Sequence, residues 1–116
     1  MLKTMANNIL HSTPNPENIS RTVLENGVTI LVYANTSTRS VVVAGVTEGG
    51  SIHETPENNG LAALTAGSLM RGTQHRDFQT MAAALEDVGA DFGFSASTQS
   101  VGLGGKALAE DLPLLI

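Results

Sequence analysis

A helix of small and apolar residues that ends at a glycine constrains the fold of this chain more than any other stretch. Residues 60–73 read Gly-Leu-Ala-Ala-Leu-Thr-Ala-Gly-Ser-Leu-Met-Arg-Gly-Thr. Thr55 is a good N-cap and Pro56 suits the first helical position, so the sequence predicts a helix that begins there and stops at Gly72. Its predicted core-facing stripe, at helical spacing, consists of Leu61, Leu64, Thr65, Ser68 and Leu69.

The same helix has a second face made only of small residues, which are Ala62, Ala63, Ala66 and Gly67. A glycine inside a helix costs about 1 kcal/mol relative to alanine. Such a face is tolerated where another backbone packs closely against it. We therefore expect a neighbouring helix or sheet to lie against this side.

The second predicted helix covers residues 77–89 and is the clearest one by pattern. Asp77 is a good N-cap and Gly89 ends the periodic segment. Apolar residues at helical spacing normally belong to a core and not to a cofactor site, so this stripe is interpreted as core. It consists of Phe78, Met81, Ala82, Leu85 and Val88.

Two strands and a valine-rich strand are predicted before the helices. Asn26-Gly27 is a strong hairpin signal within residues 22–33, because both residues tolerate positive φ. The strand after this turn is apolar on both faces, which predicts a position inside a sheet. Residues 40–48 form the β-branched strand. Gly49-Gly50-Ser51 then predicts a tight turn, with an anion-binding nest as the weaker interpretation.

The last part of the chain predicts a second hairpin followed by a helix. Residues 90–97 alternate between polar and apolar, residues 99–106 do so less cleanly, and a turn is expected between them. From Ala107 onward, leucines at helical spacing predict a helix, with Leu108, Leu112 and Leu115 on one side.

These elements together predict an α+β fold, with a mainly antiparallel sheet of four to five strands and helices packed on one face. Residues 1–20 contain two prolines and four asparagines and predict a flexible leader. Residues 21–116 are predicted to be the folded portion. Because the chain stops inside a predicted helix, we expect it to be a fragment of a longer protein.

Composition excludes several classes of function. The formal net charge of −5 argues against nucleic acid or an anionic membrane as the main partner. Without cysteine there are no disulfides, thiolate zinc sites or cysteine nucleophiles. The sequence lacks an apolar run of about 18 residues and a secretory signal, so a cytoplasmic protein is predicted.

Candidate metal ligands and nucleophiles are sparse. The histidines are His11, His53 and His75, and none is placed with a second ligand on one helix face. His53, Glu54 and Glu57 form one possible loop cluster, which we interpret as surface residues. No Gly-x-Ser-x-Gly elbow is present, and Gly67-Ser68 lies within the first helix, where a serine hydroxyl can bond its own backbone.

The frame of the first helix carries a resemblance to a known family. The matching residues are Gly60, Leu61, Ala62, Leu69, Arg71, Gly72 and Thr73. The helix resembles the zinc-binding helix of the pitrilysin/insulinase metallopeptidases, a family that includes the mitochondrial processing peptidases. In active members that helix reads Gly-Leu-Ala-His-x-x-Glu-His. The similarity runs from about Thr22 to the end of the chain.

The resemblance places Ala63 and Gly67 at the two histidine positions and Ala66 at the glutamate position. None of these side chains offers a lone pair, so no catalytic, cofactor-binding or metal residue is predicted in this chain. The implied fold is α+β, of the type shared by the LuxS metalloenzyme and the processing peptidases. We expect zinc only in a partner subunit or half.

The resemblance implies a non-catalytic member or subunit of an insulinase-type zinc metallopeptidase. Such a subunit forms a peptide-binding chamber with a homologous partner that bears His-x-x-Glu-His, in an oligomer that takes peptide substrates. Whether the chain is an enzyme stays open, and it is expected to be inactive alone. The alternatives are a structural core-type subunit of the same fold, like those of respiratory complexes, and an unrelated α+β binding domain.

Overall fold

A computed structural model describes residues 13–116, which divide after Arg39 into two compact units. The predicted leader, residues 1–20, lies mostly outside this range. Its described part begins with a turn in which the side chain of Asn18 accepts a hydrogen bond from the backbone of Asn15 at 2.8 Å. Among residues 13–116, no helix has the length and apolar character needed to cross a membrane.

The first unit contains the predicted hairpin. Strand β1 (Ile19–Val23) pairs antiparallel with β2 (Thr29–Tyr33). Gly27 in the turn has a φ of 86°, and its N–H donates to the Leu24 carbonyl at 2.9 Å. The hairpin prediction is confirmed, although β1 begins at Ile19, three residues before the predicted start.

The predicted interior position of β2 is wrong for the described residues. Strands β1 and β2 form a two-stranded sheet of their own. Side chains on both faces of β2 are exposed, with Ile30 at 40%, Leu31 at 63% and Val32 at 53%. Apolar residues on both faces show that both faces are suited to burial, but they do not show that the strand has a neighbour on each side.

The second unit is built on a three-stranded antiparallel sheet. Strand β3 (Ser40–Glu48) has the bounds predicted from its valines, and β4 (Asp91–Ala96) and β5 (Ser100–Leu108) form the second hairpin. The order is β3-β5-β4, so β5 is the central strand. The α+β class is confirmed, but the five strands of the described chain are divided between two sheets.

The two faces of this sheet differ in burial. Along β3, Val41 and Val43 are half-buried, whereas Val42 and Val46 on the opposite face are 69% and 76% exposed. Ala107 of β5, which pairs with Val41, is buried at 4% exposure. Strand alternation therefore directs one face of the sheet into the core of the unit.

The covered face of the sheet is shaped by an aromatic pair and a glycine. The rings of Phe92 and Phe94 meet edge to face, with centroids 5.5 Å apart. A Cβ on Gly105 would lie 2.4 Å from a ring carbon of Phe92. The glycine in β5 thus lets the Phe92 ring lie across the central strand, as a close approach at an interior strand glycine permits.

Helix α1 (Leu61–Ser68) begins later than predicted, and the predicted start at Pro56 is wrong. Pro56–Asn58 is a separate 3-10 turn, and Gly60 follows with a φ of 91°. A left-handed residue cannot continue a right-handed helix, so α1 starts after it. A 3-10 turn, Leu69–Arg71, extends the segment to Gly72, where the predicted end is confirmed.

The predicted core stripe of α1 is also wrong. Leu61, Leu64 and Leu69 are 51%, 69% and 43% exposed, whereas Ala66 is buried at 3%. Ala62, one turn before Ala66, is half-buried. Of the four small residues, Ala62 and Ala66 pack, in a helix that contacts strand β4, whereas Ala63 and Gly67 are exposed. The expected close neighbour therefore covers only part of the small-residue face.

Helix α2 (Phe78–Asp87) confirms its prediction. The Asp77 carboxylate accepts a hydrogen bond from the N–H of Thr80 at 2.8 Å, and Gly89 follows the helix with a φ of 63°. Met81 and Leu85 are half-buried, while Phe78 is 47% exposed. The stripe therefore turns inward after its first residue.

The predicted start of the last helix at Ala107 is wrong. Strand β5 continues through Leu108, which pairs with Ser40. A 3-10 turn, Ala109–Asp111, follows, and helix α3 covers Leu112–Leu115. Cross-strand pairing with β3 overrides the leucine spacing, which is compatible with both conformations over so short a segment.

Candidate functional site on helix α1

The beginning of α1 is held by a carboxylate from an earlier loop. One oxygen of Glu54 accepts a hydrogen bond from the N–H of Gly60, and the other accepts one from the N–H of Ala62, each at 2.7 Å. These are backbone donors that the first turn of a helix leaves without an intrahelical partner. Glu54 therefore acts as the cap of α1, a role that the sequence suggested for Thr55.

These hydrogen bonds lower the pKa of Glu54. The bond from the Gly60 N–H is the largest cause, the bond from Ala62 adds to it, and slight desolvation opposes both. Both donors bind the charged form, and the positive end of the helix dipole favours the same form. Glu54 is thus ionised at neutral pH and engaged with the helix.

The three motif positions of α1 do not share one environment. Ala63 and Gly67 are exposed, and no atom outside the helix lies within 4 Å of a Cβ built on Gly67. Ala66, between them in sequence, is buried at 3% exposure, in a helix that contacts strand β4. The two positions that the resemblance matches to histidine therefore face open space one helical turn apart, and the position that it matches to glutamate is enclosed.

A zinc ion does not fit this helix as the sequence stands. Zinc in proteins is bound by imidazole, thiolate or carboxylate groups, and the methyl groups of Ala63 and Ala66 and the hydrogen of Gly67 are none of these. Among residues 13–116, no three His, Asp or Glu side chains come together in a metal-binding cluster. No chemical step through a metal can be derived for α1 itself.

The loop cluster considered from sequence is divided among separate elements. His53 ends a 3-10 turn, Ser51–His53, and Glu54 is occupied by the amides of α1. Glu57 lies in the next 3-10 turn, where hydrogen bonding with the Thr55 side chain lowers its pKa. All three residues are at most half-buried, so the structure places them as loop residues.

Ser68 and Thr73 use their hydroxyl groups locally. The Ser68 hydroxyl donates to the Leu64 carbonyl at 2.7 Å, the backbone bond expected of a serine inside a helix. The Thr73 hydroxyl oxygen accepts from the N–H groups of His75 and Arg76 at 3.2 and 3.1 Å. Arg71 lies over the Phe78 ring, 5.2 Å from its centre. These contacts organise the connection between α1 and α2.

A largely apolar cleft of about 150 Å³ lies beyond this connection. Its walls come from the end of the α1 segment, from α2, from β4 and from α3, and they consist of Met70, Thr73, Arg76, Met81, Leu85, Phe92 and Leu114. Arg76 is the single titratable group in this lining. The cleft therefore lacks a pair of groups for acid–base catalysis.

Glu54 is the residue with a defined role that sequence reasoning missed. It was considered only as a metal ligand or a surface charge. The available signal was an acidic residue shortly before a glycine that precedes a helix, because a carboxylate is favoured at a helix N-terminus. That signal does not reveal that the Glu54 side chain reaches the N–H of Gly60, six residues further along the chain.

Comparison with known proteins identifies relatives of this chain. The model of the family described as Insulinase (Peptidase family M16) matches residues 29–115. The chain is 31% identical over 90 residues to the mitochondrial-processing peptidase subunit beta of Saccharomyces cerevisiae, which covers 78% of this chain and 20% of that protein.

A bacterial relative gives a similar match. The chain is 32% identical over 71 residues to the uncharacterized zinc protease YmxG of Bacillus subtilis, covering 61% of this chain and 17% of that protein. The matched part thus spans about a fifth of the length of these relatives. The family model covers most of the chain, including α1, α2 and the three-stranded sheet, and the chain therefore belongs to the insulinase family of peptidases.

Proposed function

We propose that this chain is part of a non-catalytic, zinc-free member of the insulinase family. In this proposal it shapes one wall of a peptide-binding chamber, and a homologous subunit or half that bears His-x-x-Glu-His supplies the zinc chemistry. The contribution of this chain is to bind and enclose the peptide. It provides no metal ligand, general base or nucleophile from α1.

The observation that carries the proposal is the state of α1. The segment keeps its glycine-bounded helical form, its carboxylate cap and its packing through Ala66 against the sheet. The positions of the family's two histidines, Ala63 and Gly67, are exposed but hold side chains without donor atoms. A helix that retains its structural role while lacking the ligand atoms is what a chamber-forming, non-catalytic member requires.

The names of the relatives place peptidase activity in this family. One is a subunit of a processing peptidase and the other is a zinc protease. Family membership brings the fold and the peptide-handling context to this chain. The residues Ala63, Ala66 and Gly67 of α1, which offer no metal ligand, support a non-catalytic part within that context.

The test is purification of the full-length protein that contains this sequence from its source, under mild conditions, with its bound partners identified by mass spectrometry. We expect a stoichiometric partner that bears His-x-x-Glu-His, with zinc found in that partner. Association only with membrane redox subunits, and no peptidase partner, would favour the structural-subunit alternative and contradict the proposal.

A further inference from the structure

The segment from Gly49 to Glu54 touches two distant parts of the second unit. At its beginning it lies against the turn between β4 and β5. The N–H of Ser51 donates to the Ser97 carbonyl at 3.0 Å, and the N–H of Ile52 donates to the Thr98 carbonyl at 2.8 Å. A further bond joins the N–H of Gly49 to the Gln99 carbonyl at 3.3 Å.

The approach between this segment and the turn is closer than any residue with a side chain allows. Gly50 has a φ of 95°. A Cβ at this position would lie 2.3 Å from the Ser97 carbonyl oxygen and 2.8 Å from two backbone atoms of Thr98. Glycine is therefore required twice, for its backbone conformation and for the space it leaves.

The other end of the segment holds α1 through Glu54, as described above. Between the two attachments the chain forms a 3-10 turn, in which the N–H of His53 donates to the Gly50 carbonyl and the N–H of Glu54 donates to the Ser51 carbonyl. The segment thus has internal hydrogen bonds of its own. It connects its two attachments as a short, ordered element rather than as a slack loop.

We propose that residues 49–54 form a coupling strap, through which the β4–β5 turn and the N-terminus of α1 control each other's order. A contact that displaces the β4–β5 turn also displaces Ser51 and Ile52, whose N–H groups are bonded to it. Because the 3-10 turn joins these residues to Glu54, the Glu54 carboxylate then moves relative to the N–H groups of Gly60 and Ala62. Loss of the Glu54 carboxylate loosens the turn by the same route in reverse, as coupling between two sites must be reciprocal. This coupling does not depend on a partner subunit or on the proposed function.

The experiment is hydrogen exchange at single-amide resolution in the intact protein, on variants that act at either end of the strap. E54A removes the carboxylate that caps α1. S97A removes a hydroxyl that bonds to Ser100 within the β4–β5 turn, without removing the carbonyl that receives the strap. Matched controls are E86A, an exposed carboxylate of α2, and T98A, an exposed side chain of the β4–β5 turn.

We expect E54A to speed exchange at Gly60 and Ala62 by about tenfold, the effect of losing a hydrogen bond of ordinary strength, and also to speed exchange at Ser51 and Ile52. S97A should speed exchange at Ser51 and Ile52 and also at Gly60 and Ala62. The controls should leave all four amides unchanged. Amides in the middle of β5 report whether a variant has unfolded.

Faster exchange confined to the mutated end, with the distant pair unchanged, would overturn the coupling. If E54A exposes the β5 amides as well, the milder E54Q variant replaces it, because the amide oxygen still accepts one hydrogen bond. E54Q should then produce a smaller change of the same pattern. An effect of E54Q on Gly60 and Ala62 alone would overturn the coupling equally.

Discussion

Helices α1 and α2 are similar in length, with eight and ten residues, but they are specified in different ways. Helix α2 is specified by local sequence signals, since Asp77 caps it and its half-buried stripe follows the helical period. Helix α1 is specified from outside. Glu54 caps it from the loop that precedes it, and it packs through Ala66 while its leucines are exposed.

Helix α1 is therefore stabilised mainly by its contacts with the rest of the second unit and less by its own sequence. A helix held by a loop and by one small buried residue leaves the outer face free to change. This explains how α1 can hold the small residues Ala63 and Gly67 on its exposed side and remain a helix.

The largest expected effect comes from enlarging the buried side of α1. A66L should destabilise the protein by about 1–3 kcal/mol, because a leucine cannot fit between the helix and β4 without moving one of them. The matched variant A63L, on the exposed side of the same helix, should change the free energy of unfolding by less than about 0.5 kcal/mol. Denaturant titration measures both, and equal effects would contradict the assigned packing face.

A second prediction tests the outer faces of both helices with metal. The double variant A63H/G67H places two exposed imidazoles one turn apart, so it should bind Ni²⁺ and gain about 1.4 kcal/mol of stability at ten times the dissociation constant. The pair Q79H/A83H on the exposed side of α2 should behave alike. Binding is measured as a nickel-dependent rise in melting temperature.

The control for the histidine pairs is A63H/L64H, in which the two side chains diverge around the helix. It should show no comparable nickel effect. Binding by the α2 pair but not by the α1 pair would contradict an open outer face on α1.

A smaller effect is expected from helix propensity, which should act alike in both helices. G67A should stabilise the protein by about 0.5–1 kcal/mol, because Gly67 is exposed and a Cβ there meets no outside atom. A83G, at an exposed position of α2, should destabilise it by a similar amount. A loss of stability in G67A would show that something outside the helix needs this glycine.

The smallest expected effect is the loss of stability at acid pH. Hydrogen bonds from the side chain and then the N–H of Thr80 lower the pKa of Asp77 from its ordinary value of 3.8, and bonds from the N–H groups of Gly60 and Ala62 lower that of Glu54 from 4.5. Their contribution to stability is therefore present above the ordinary values and is lost as the pH falls through the lowered ones. Melting temperature should decline below pH 4.5, and the decline should be shallower in E54Q and in D77N.

The two carboxylates can be separated by where each variant acts. D77N should loosen the amides of α2 only, whereas E54Q should loosen the first amides of α1. A decline in acid that neither variant changes would show that other groups control it.

The sequence predicted those elements whose signals are local. The Asn26-Gly27 turn, the valine strand at Ser40–Glu48 and helix α2 each contain their own turn, propensity or capping residues. They were predicted with correct bounds or nearly so. Membership of the insulinase family was also carried by local residues, namely the frame of α1 and the order of the neighbouring elements.

The errors lie where residues outside an element determine its bounds or its buried face. The start of α1 depends on Glu54 and on the left-handed Gly60, and neither is marked by periodicity. Strand β5 runs past Ala107 because β3 pairs with it as far as Leu108. The exposed leucines of α1 illustrate the same point, since a leucine stripe shows which residues suit a core and not which face meets one.

The central claim is that this chain supports peptide cleavage without performing it. The most direct measurement is peptide cleavage by the full-length protein, by its His-x-x-Glu-His partner and by their mixture, each with and without a chelator. We predict cleavage by the mixture, abolished by the chelator and by replacing the motif glutamate of the His-x-x-Glu-His bearer with glutamine. A full-length protein without its own His-x-x-Glu-His half should cleave nothing alone, and chelator-sensitive cleavage by such a protein alone would contradict the account.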